Sequence, residues 1–376
     1  MKLGAVLNRK RKQGGNVLAA GKTGITRRAG RHLRRKLVHC MGRREVASLR
    51  WGSHRNEYGL GRHVARETVL RDQEVIEFRD PVLNYYRTEI KDEIKTYVLT
   101  DVVLFPAGFL TAEGVVIRES LRLQTHPPMA FRLRRGKVLD AEKLLAMPLS
   151  ANYYHFMLED VPRILLARKE IGNIRLVVTK DLSAFQAEVL KMLAIDVEVR
   201  VRATALPLVN FVKISQPSGL ECASVTELSA ALSHPNAEPS PNNKPNPDSR
   251  PIYISRRGSS RPLLGEEELE QALSRCGFRV VRTEELSVRE QIQAFQSTDC
   301  VVAPHGAGLS NIAFCAPGTR VVEIMDRAYS NPCYQVIARA KSLNYDQVTT
   351  WSTRPATDVV RAVNVLLENN RLPGDG

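Results

Sequence analysis

The chain has 376 residues, 43% hydrophobic and 25% charged, which is ordinary for a globular protein with room for two cores. No run of about 18 apolar residues occurs, so no helix should span a bilayer. No apolar segment follows Lys2 before charge returns at Arg9 to Lys12, so no secretory signal is expected.

The net charge of +15 sits at one end. Fourteen of the 55 Lys and Arg, and none of the 40 Asp and Glu, fall in residues 1–44, which leaves the remainder within one charge of balance. Such a disordered basic arm suits an anionic membrane surface or another polyanion. The bland readings are a disordered tail, or an upstream extension with Met41 as an alternative start. The near-neutral body speaks against nucleic acid as a partner. Six scattered cysteines without a C-x-x-C pair fit buried thiols in a reducing compartment. The chain therefore reads as cytoplasmic, with peripheral contact to an inner membrane through residues 1–44 as an option.

Residues 45–140 give mixed signals, with strands at TYVLTDVVLF (97–106) and GVVI (114–117). Apolar runs then alternate with helical periods: a helical stretch over 151–169, the strand IRLVVT, the helix SAFQAEVLKMLA and the strand DVEVRV. HPNAEPSPNNKPNPDSRP (234–251) carries six prolines and reads as a linker or long surface loop. The alternation then resumes with IYIS, GEEELEQALSRC, FRVVR, SVREQIQAFQS, CVVAP, a short helix GLSNIAFC and TRVVEIM. A helix over 334–342, a strand over 345–350 and a last helix over 357–369 complete it. Short apolar strands separated by helices predict a parallel sheet covered on both faces. The implied division is an arm (1–44), an N-terminal α/β domain (45–233), the linker (234–250), a Rossmann-like domain (251–355) and a C-terminal helix and tail (356–376).

Three stretches can carry chemistry. VVAPHGAGLSNIAFC (301–315) places His305 and a glycine-rich turn at the end of a strand, where doubly wound sheets bind ligands. A helix beginning near Ala307 would aim its free N–H groups at an anion. The bland reading is a βα turn with a satisfied histidine. In NYYHFMLEDVPR (152–163), Asn152, His155, Glu159 and Arg163 form a polar stripe opposite Tyr154, Met157, Leu158, Val161 and Leu165. A histidine and a carboxylate one turn apart can act as a base and its orienter. The bland reading is a solvated polar face, locally weakened by Pro162. YISRRGSSR (253–261) places Arg256 and Arg257 after a strand, as a diphosphate clamp or as a basic loop. GNVLAAGKT has five residues between its glycines and no preceding strand, so it is no P-loop. No D-x-D occurs.

In this order, NYYHFMLEDVPRI (152–164), IYISRRGSSRPLLGEEEL (252–269) and VVAPHGAGLSNIAFCAPGTRVVEI (301–324), with a looser NPCYQVIARAKSLNY (331–345), resemble glycosyltransferase family 61. That group includes bacterial capsular-polysaccharide proteins. The resemblance implies a GT-B arrangement, two Rossmann-like domains facing across a cleft. It implies inverting transfer from a nucleotide-sugar donor to a hydroxyl of a glycan or lipid-linked acceptor, with no cofactor and usually no essential metal. On that basis Glu159 or His155 is the base, with Asp160 as fallback, and Asn152 and Arg163 lie in the acceptor cleft. The donor diphosphate falls to Arg256, Arg257 and the stretch His305, Gly306, Ala307, Gly308, Leu309, Ser310 and Asn311. Glu323 accepts ribose hydroxyls or caps a helix. The rival reading is a non-catalytic nucleotide- or sugar-binding protein on the same scaffold.

Overall fold

A computed structural model describes residues 143–200, 250–259, 262–326 and 331–350 in full. It also describes a set of strands between residues 45 and 133, the segments 204–212 and 222–233, and residues 359–361, 363 and 365. The basic arm, residues 234–249 of the linker and the C-terminal tail lie outside the described residues.

The strands in chain order are β1 (Glu45–Ser48), β2 (Val64–Arg71), β3 (Glu74–Arg79), β4 (Tyr86–Lys91), β5 (Ile94–Leu104), β6 (Leu110–Ala112), β7 (Val115–Val116), β8 (Ala130–Leu133) and β9 (Leu144–Ala146). They continue as β10 (Arg175–Val178), β11 (Asp196–Val199), β12 (Thr204–Val212), β13 (Ile252–Ile254), β14 (Arg279–Val281), β15 (Cys300–Pro304), β16 (Arg320–Asp326) and β17 (Asn344–Thr350). The helices are α1 (Tyr153–His155), α2 (Val161–Ile171), α3 (Ala184–Met192), α4 (Cys222–Ser233), α5 (Glu266–Arg275), α6 (Val288–Gln296) and α7 (Cys333–Ala340). A π turn, Phe156–Asp160, joins α1 to α2, and a 3-10 stretch, Ala307–Phe314, follows β15.

Local chemistry explains several of these boundaries. α3 and α6 begin in capping boxes, Ser183 with Gln186 and Ser287 with Glu290. β15 is apolar and buried along its whole length, as an interior parallel strand requires. Pro162 has no N–H for the carbonyl four residues back, and its ring crowds that carbonyl. The backbone widens just ahead of it: the Val161 N–H bonds to the Phe156 carbonyl, five residues back.

The C-terminal sheet is all parallel, in the order β14-β13-β15-β16-β17. The strand order reverses between β13 and β15, so a crevice opens beyond their carboxyl ends. The N-terminal sheet differs from the expected Rossmann form. It has eight strands in the order β11-β10-β9-β12-β5-β6-β7, with β2 also paired to β5. β9, β10 and β11 are parallel, whereas β12 runs antiparallel to β5. The assembly is α/β, with one mixed and one parallel sheet.

One apolar cluster runs through both halves, from Leu145, Phe156 and Ile164 to Phe295, Ile312 and Ile337. Polar contacts reinforce it. Glu188 of α3 accepts the Val288 and Arg289 N–H groups at 2.8 and 3.1 Å, capping α6 from the other half. Lys341 donates to the Ser229 hydroxyl at 2.9 Å. Among the described residues, no helix is long and apolar enough to cross a membrane.

Candidate active site

The crevice between β13 and β15 brings YISRR beside PHGAG. Arg256 extends over Gly306 and donates from Nη1 to the His305 carbonyl oxygen. A Cβ on Gly306 would meet the Arg256 Nε at 2.9 Å, so the glycine is what lets the guanidinium approach the strand end. Buried Glu266 sets the loop: its Oε1 accepts the Arg256 N–H at 2.5 Å and the Tyr253 hydroxyl at 3.0 Å. Arg257 turns the other way, pairing with Glu267 and Glu270 of α5 at 3.3 and 3.2 Å. Those three residues line a separate depression of about 400 Å³.

His305 is held on several sides. Its N–H donates to the Ile324 carbonyl at 2.8 Å, and its Nδ1 lies 2.5 Å from Glu323 Oε1. The Tyr334 ring packs 5.0 Å from the imidazole, and the Tyr334 hydroxyl donates to the Gly306 carbonyl. Glu323 is 0% exposed and accepts the Tyr345 hydroxyl on its second oxygen. The expected ribose-binding role for Glu323 thus gives way to an internal one, since both oxygens have protein partners.

The 307–314 stretch also differs from the expected cradle. Leu309, Ser310 and Asn311 are buried, while His305, Ala307 and Gly308 keep partial exposure. Leu309 belongs to the core, and Ser310 lies beside the Tyr334 hydroxyl. Asn311 accepts the Tyr153 hydroxyl at 2.8 Å and donates to Gln291 Oε1 at 2.8 Å and to the Gly308 carbonyl at 3.2 Å. It ties three elements together, with its carbonyl and its amide both engaged inside the protein. A Cβ on Gly308 would meet Thr283 Oγ1 at 2.7 Å, so packing already requires that glycine. The crevice-facing part therefore narrows to His305–Gly308 and Arg256.

On the N-terminal side, residues 156–164 are buried without a break, which rules out a solvated polar face. His155 Nδ1 lies 2.7 Å from Glu159 Oε1, with the imidazole about one-third exposed and the carboxylate buried. Arg163 is buried and donates to the Glu159 carbonyl at 3.2 Å, supporting the π turn and not lining a cleft. Asp160 is 0% exposed and accepts the Ser150 N–H at 2.7 Å. That burial and the Ser150 bond give it an anchoring contact, in contrast to the partly exposed imidazole of His155. Asn152 is exposed and caps α1 by accepting the His155 N–H at 3.4 Å.

Two tyrosines join the sides. The ring centroids run His155 to Tyr154 at 5.1 Å, Tyr154 to Tyr334 at 5.8 Å, and Tyr334 to His305 at 5.0 Å. Burial pushes both phenols well above their ordinary range, so both stay neutral. Two His–Glu pairs thus stand at the ends of one aromatic bridge. Periodicity missed Tyr334 and Tyr345; only their place in NPCYQVIARAKSLNY pointed to them. Among the described residues, no group of three or more His, Cys, Asp or Glu is disposed to hold a metal ion.

Residues 153–322 match the family described as Glycosyltransferase 61, which covers under half of the chain. Three characterised proteins align with parts of it. The beta-1,2-xylosyltransferase of rice (Oryza sativa subsp. japonica) is 32% identical over 84 residues, 22% of this chain and 16% of that protein. The beta-1,2-xylosyltransferase of Arabidopsis thaliana is 32% identical over 75 residues, 19% and 14% of the two chains. The EGF domain-specific O-linked N-acetylglucosamine transferase of Drosophila melanogaster is 30% identical over 105 residues, 27% and 19%. The aligned stretches span less than a fifth of those plant and insect proteins. Residues 153–322 are thus similar to glycosyltransferase family 61, and shorter stretches of the chain are similar to these three sugar transferases.

Proposed function

We propose that the chain is an inverting glycosyltransferase that moves a sugar from a nucleotide-sugar donor to an acceptor hydroxyl across this crevice. The observation that carries the reading is the pair of His–Glu contacts facing one another over Tyr154 and Tyr334. The acceptor oxygen attacks the anomeric carbon, the bond from that carbon to the diphosphate breaks, and the hydroxyl proton passes to His155. His155 takes the base role because its imidazole is the more exposed member of its pair, while Glu159 holds the opposite nitrogen. Arg256, fixed against Gly306, and His305 face the negative charge that grows on the leaving diphosphate. Metal independence, a cytoplasmic site of action and a role in capsular or other surface polysaccharide synthesis rest on the family resemblance and the residue pattern.

The relatives' names make xylose and N-acetylglucosamine the first donors to test. A thermal-shift screen against UDP-xylose, UDP-N-acetylglucosamine and other sugar nucleotides, with and without chelator, should raise the melting point for one of them. Purified protein should then release that sugar or transfer it to an acceptor. Binding without release or transfer would favour the non-catalytic rival, and neither binding nor release would sink the proposal.

A further inference from the structure

Buried carboxylates need partners for both oxygens, since an unmatched buried charge is costly. Glu323 is 0% exposed, at the centre of β16, and one of its two hydrogen-bond partners, His305, belongs to the candidate site. His305 Nδ1 sits 2.5 Å from one oxygen, and the Tyr345 hydroxyl on β17 donates to the other. β16 and β17 pair in parallel, with Glu323 opposite Gln347, so Tyr345 reaches the carboxylate from two residues back along the neighbouring strand.

We propose that Glu323 and Tyr345 are positioning residues that fix the His305 ring, with its Nδ1 proton directed at the buried carboxylate and its other nitrogen turned away from it. Glu323 lies one residue beyond the family match and Tyr345 well beyond it, so the match assigns neither a role. The proposal rests on His305 being the donor-side group assigned above.

Three features support a fixed ring. Burial and the Glu323 charge hold the Tyr345 phenol well above its ordinary range, so it stays a donor. The Tyr334 ring lies beside the imidazole, tilted by 59°, while its hydroxyl bonds to the next residue's carbonyl. Arg256 holds the His305 carbonyl itself. A histidine whose inner nitrogen donates to a carboxylate has one available orientation, and the second partner stops the carboxylate from rotating.

Tyr345→Phe removes one hydroxyl and little else. With protein labelled at histidine nitrogens, long-range ¹H–¹⁵N spectra assigned through His305→Gln should show the His305 Nδ1 protonated in the wild type. In Tyr345→Phe that proton signal should broaden or vanish through faster exchange. A wild-type His305 with an unprotonated Nδ1, or a Tyr345→Phe signal identical to wild type, overturns the proposal whether or not the protein turns over any donor.

The kinetic arm uses the sugar nucleotide found by the screen. Tyr345→Phe should lower kcat about tenfold with little change in KM, and the double variant with His305→Gln should be no slower than His305→Gln alone. Multiplying losses in the double variant would mean that Tyr345 acts only on the fold, and would overturn it. If wild-type protein turns over no donor, the glycosyltransferase reading fails and the nitrogen spectra still decide the positioning role.

Discussion

Gly306 and Gly308 lie two residues apart in one turn, yet the structure predicts opposite outcomes when each is changed to alanine. At Gly308 an added Cβ would meet Thr283 Oγ1 at 2.7 Å and Ile254 Cγ2 at 3.3 Å. Ordinary contact starts at 3.4 Å, so half-buried Thr283 must retreat by roughly 0.7 Å. Overpacking of that kind costs about 1–3 kcal/mol. At Gly306 the obstacle is the Arg256 side chain at 2.9–3.1 Å, a flexible group that can swing aside at little cost to folding. The backbone there is extended, at φ 175°, so alanine adds no strain. Swinging aside does, however, carry the guanidinium off the His305 carbonyl. Urea unfolding followed by circular dichroism should therefore show Gly308→Ala destabilised, with stability recovered in Gly308→Ala/Thr283→Ala, where the obstructing atoms are gone. Gly306→Ala should unfold like wild type and bind the sugar nucleotide found by the screen about tenfold more weakly, a loss of about 1.4 kcal/mol, by calorimetric titration. If Gly308→Ala is as stable as wild type, or Gly306→Ala keeps full affinity for that sugar nucleotide, the packing argument for these glycines is wrong.

Three further outcomes are expected. His155→Gln and Glu159→Gln should each lower turnover of the donor found by screening about 10²–10⁴-fold while affinity for that donor persists, and normal turnover in both would refute the base assignment. Asn311→Ala should cost about 1–3 kcal/mol by leaving the Tyr153 hydroxyl and Gln291 Oε1 without their partner, and its effect should not add to that of Tyr153→Phe. Burial pushes the Cys300 and Cys315 thiols up to about 12. Because the folded state holds these protons more tightly, their contribution to stability is complete below the unfolded thiol range near about 8.5 and is lost as pH rises towards 12. At pH 8 a thiol reagent should therefore modify exposed Cys276 and spare those two, which peptide mapping can read out.

The periodic parts of the chain declared themselves. Val301–Pro304, Arg320–Met325 and the helices opened by Ser183 and Ser287 follow from apolar runs and capping residues, whose causes are local. β12 did not, because Pro207 interrupts its pattern and its pairing with β5 skips that residue. α4 was likewise missed, although Pro217 and Gly219 supply a turn signal ahead of CASVTELSAALS. The pairing of His155 with Glu159 was legible as an i,i+4 spacing, and the motif order pointed to the family.

What the amino-acid order determined by itself was which short segments carry polar groups at strand ends and along one helix. Only the tertiary structure decided which of those groups serve the crevice and which serve the fold. Glu323 and Asn311 looked like ligand-binding side chains and Asp160 like a fallback base, yet each is fully buried and bonded within the protein. A polar side chain reads the same in sequence whether it faces solvent or the core. Its role is set by partners from distant segments: Tyr345 for Glu323, Ser150 for Asp160, Tyr153 and Gln291 for Asn311. Tyr154 and Tyr334 are 180 positions apart in the chain and meet at 5.8 Å because one core is shared by both halves, which no local pattern encodes.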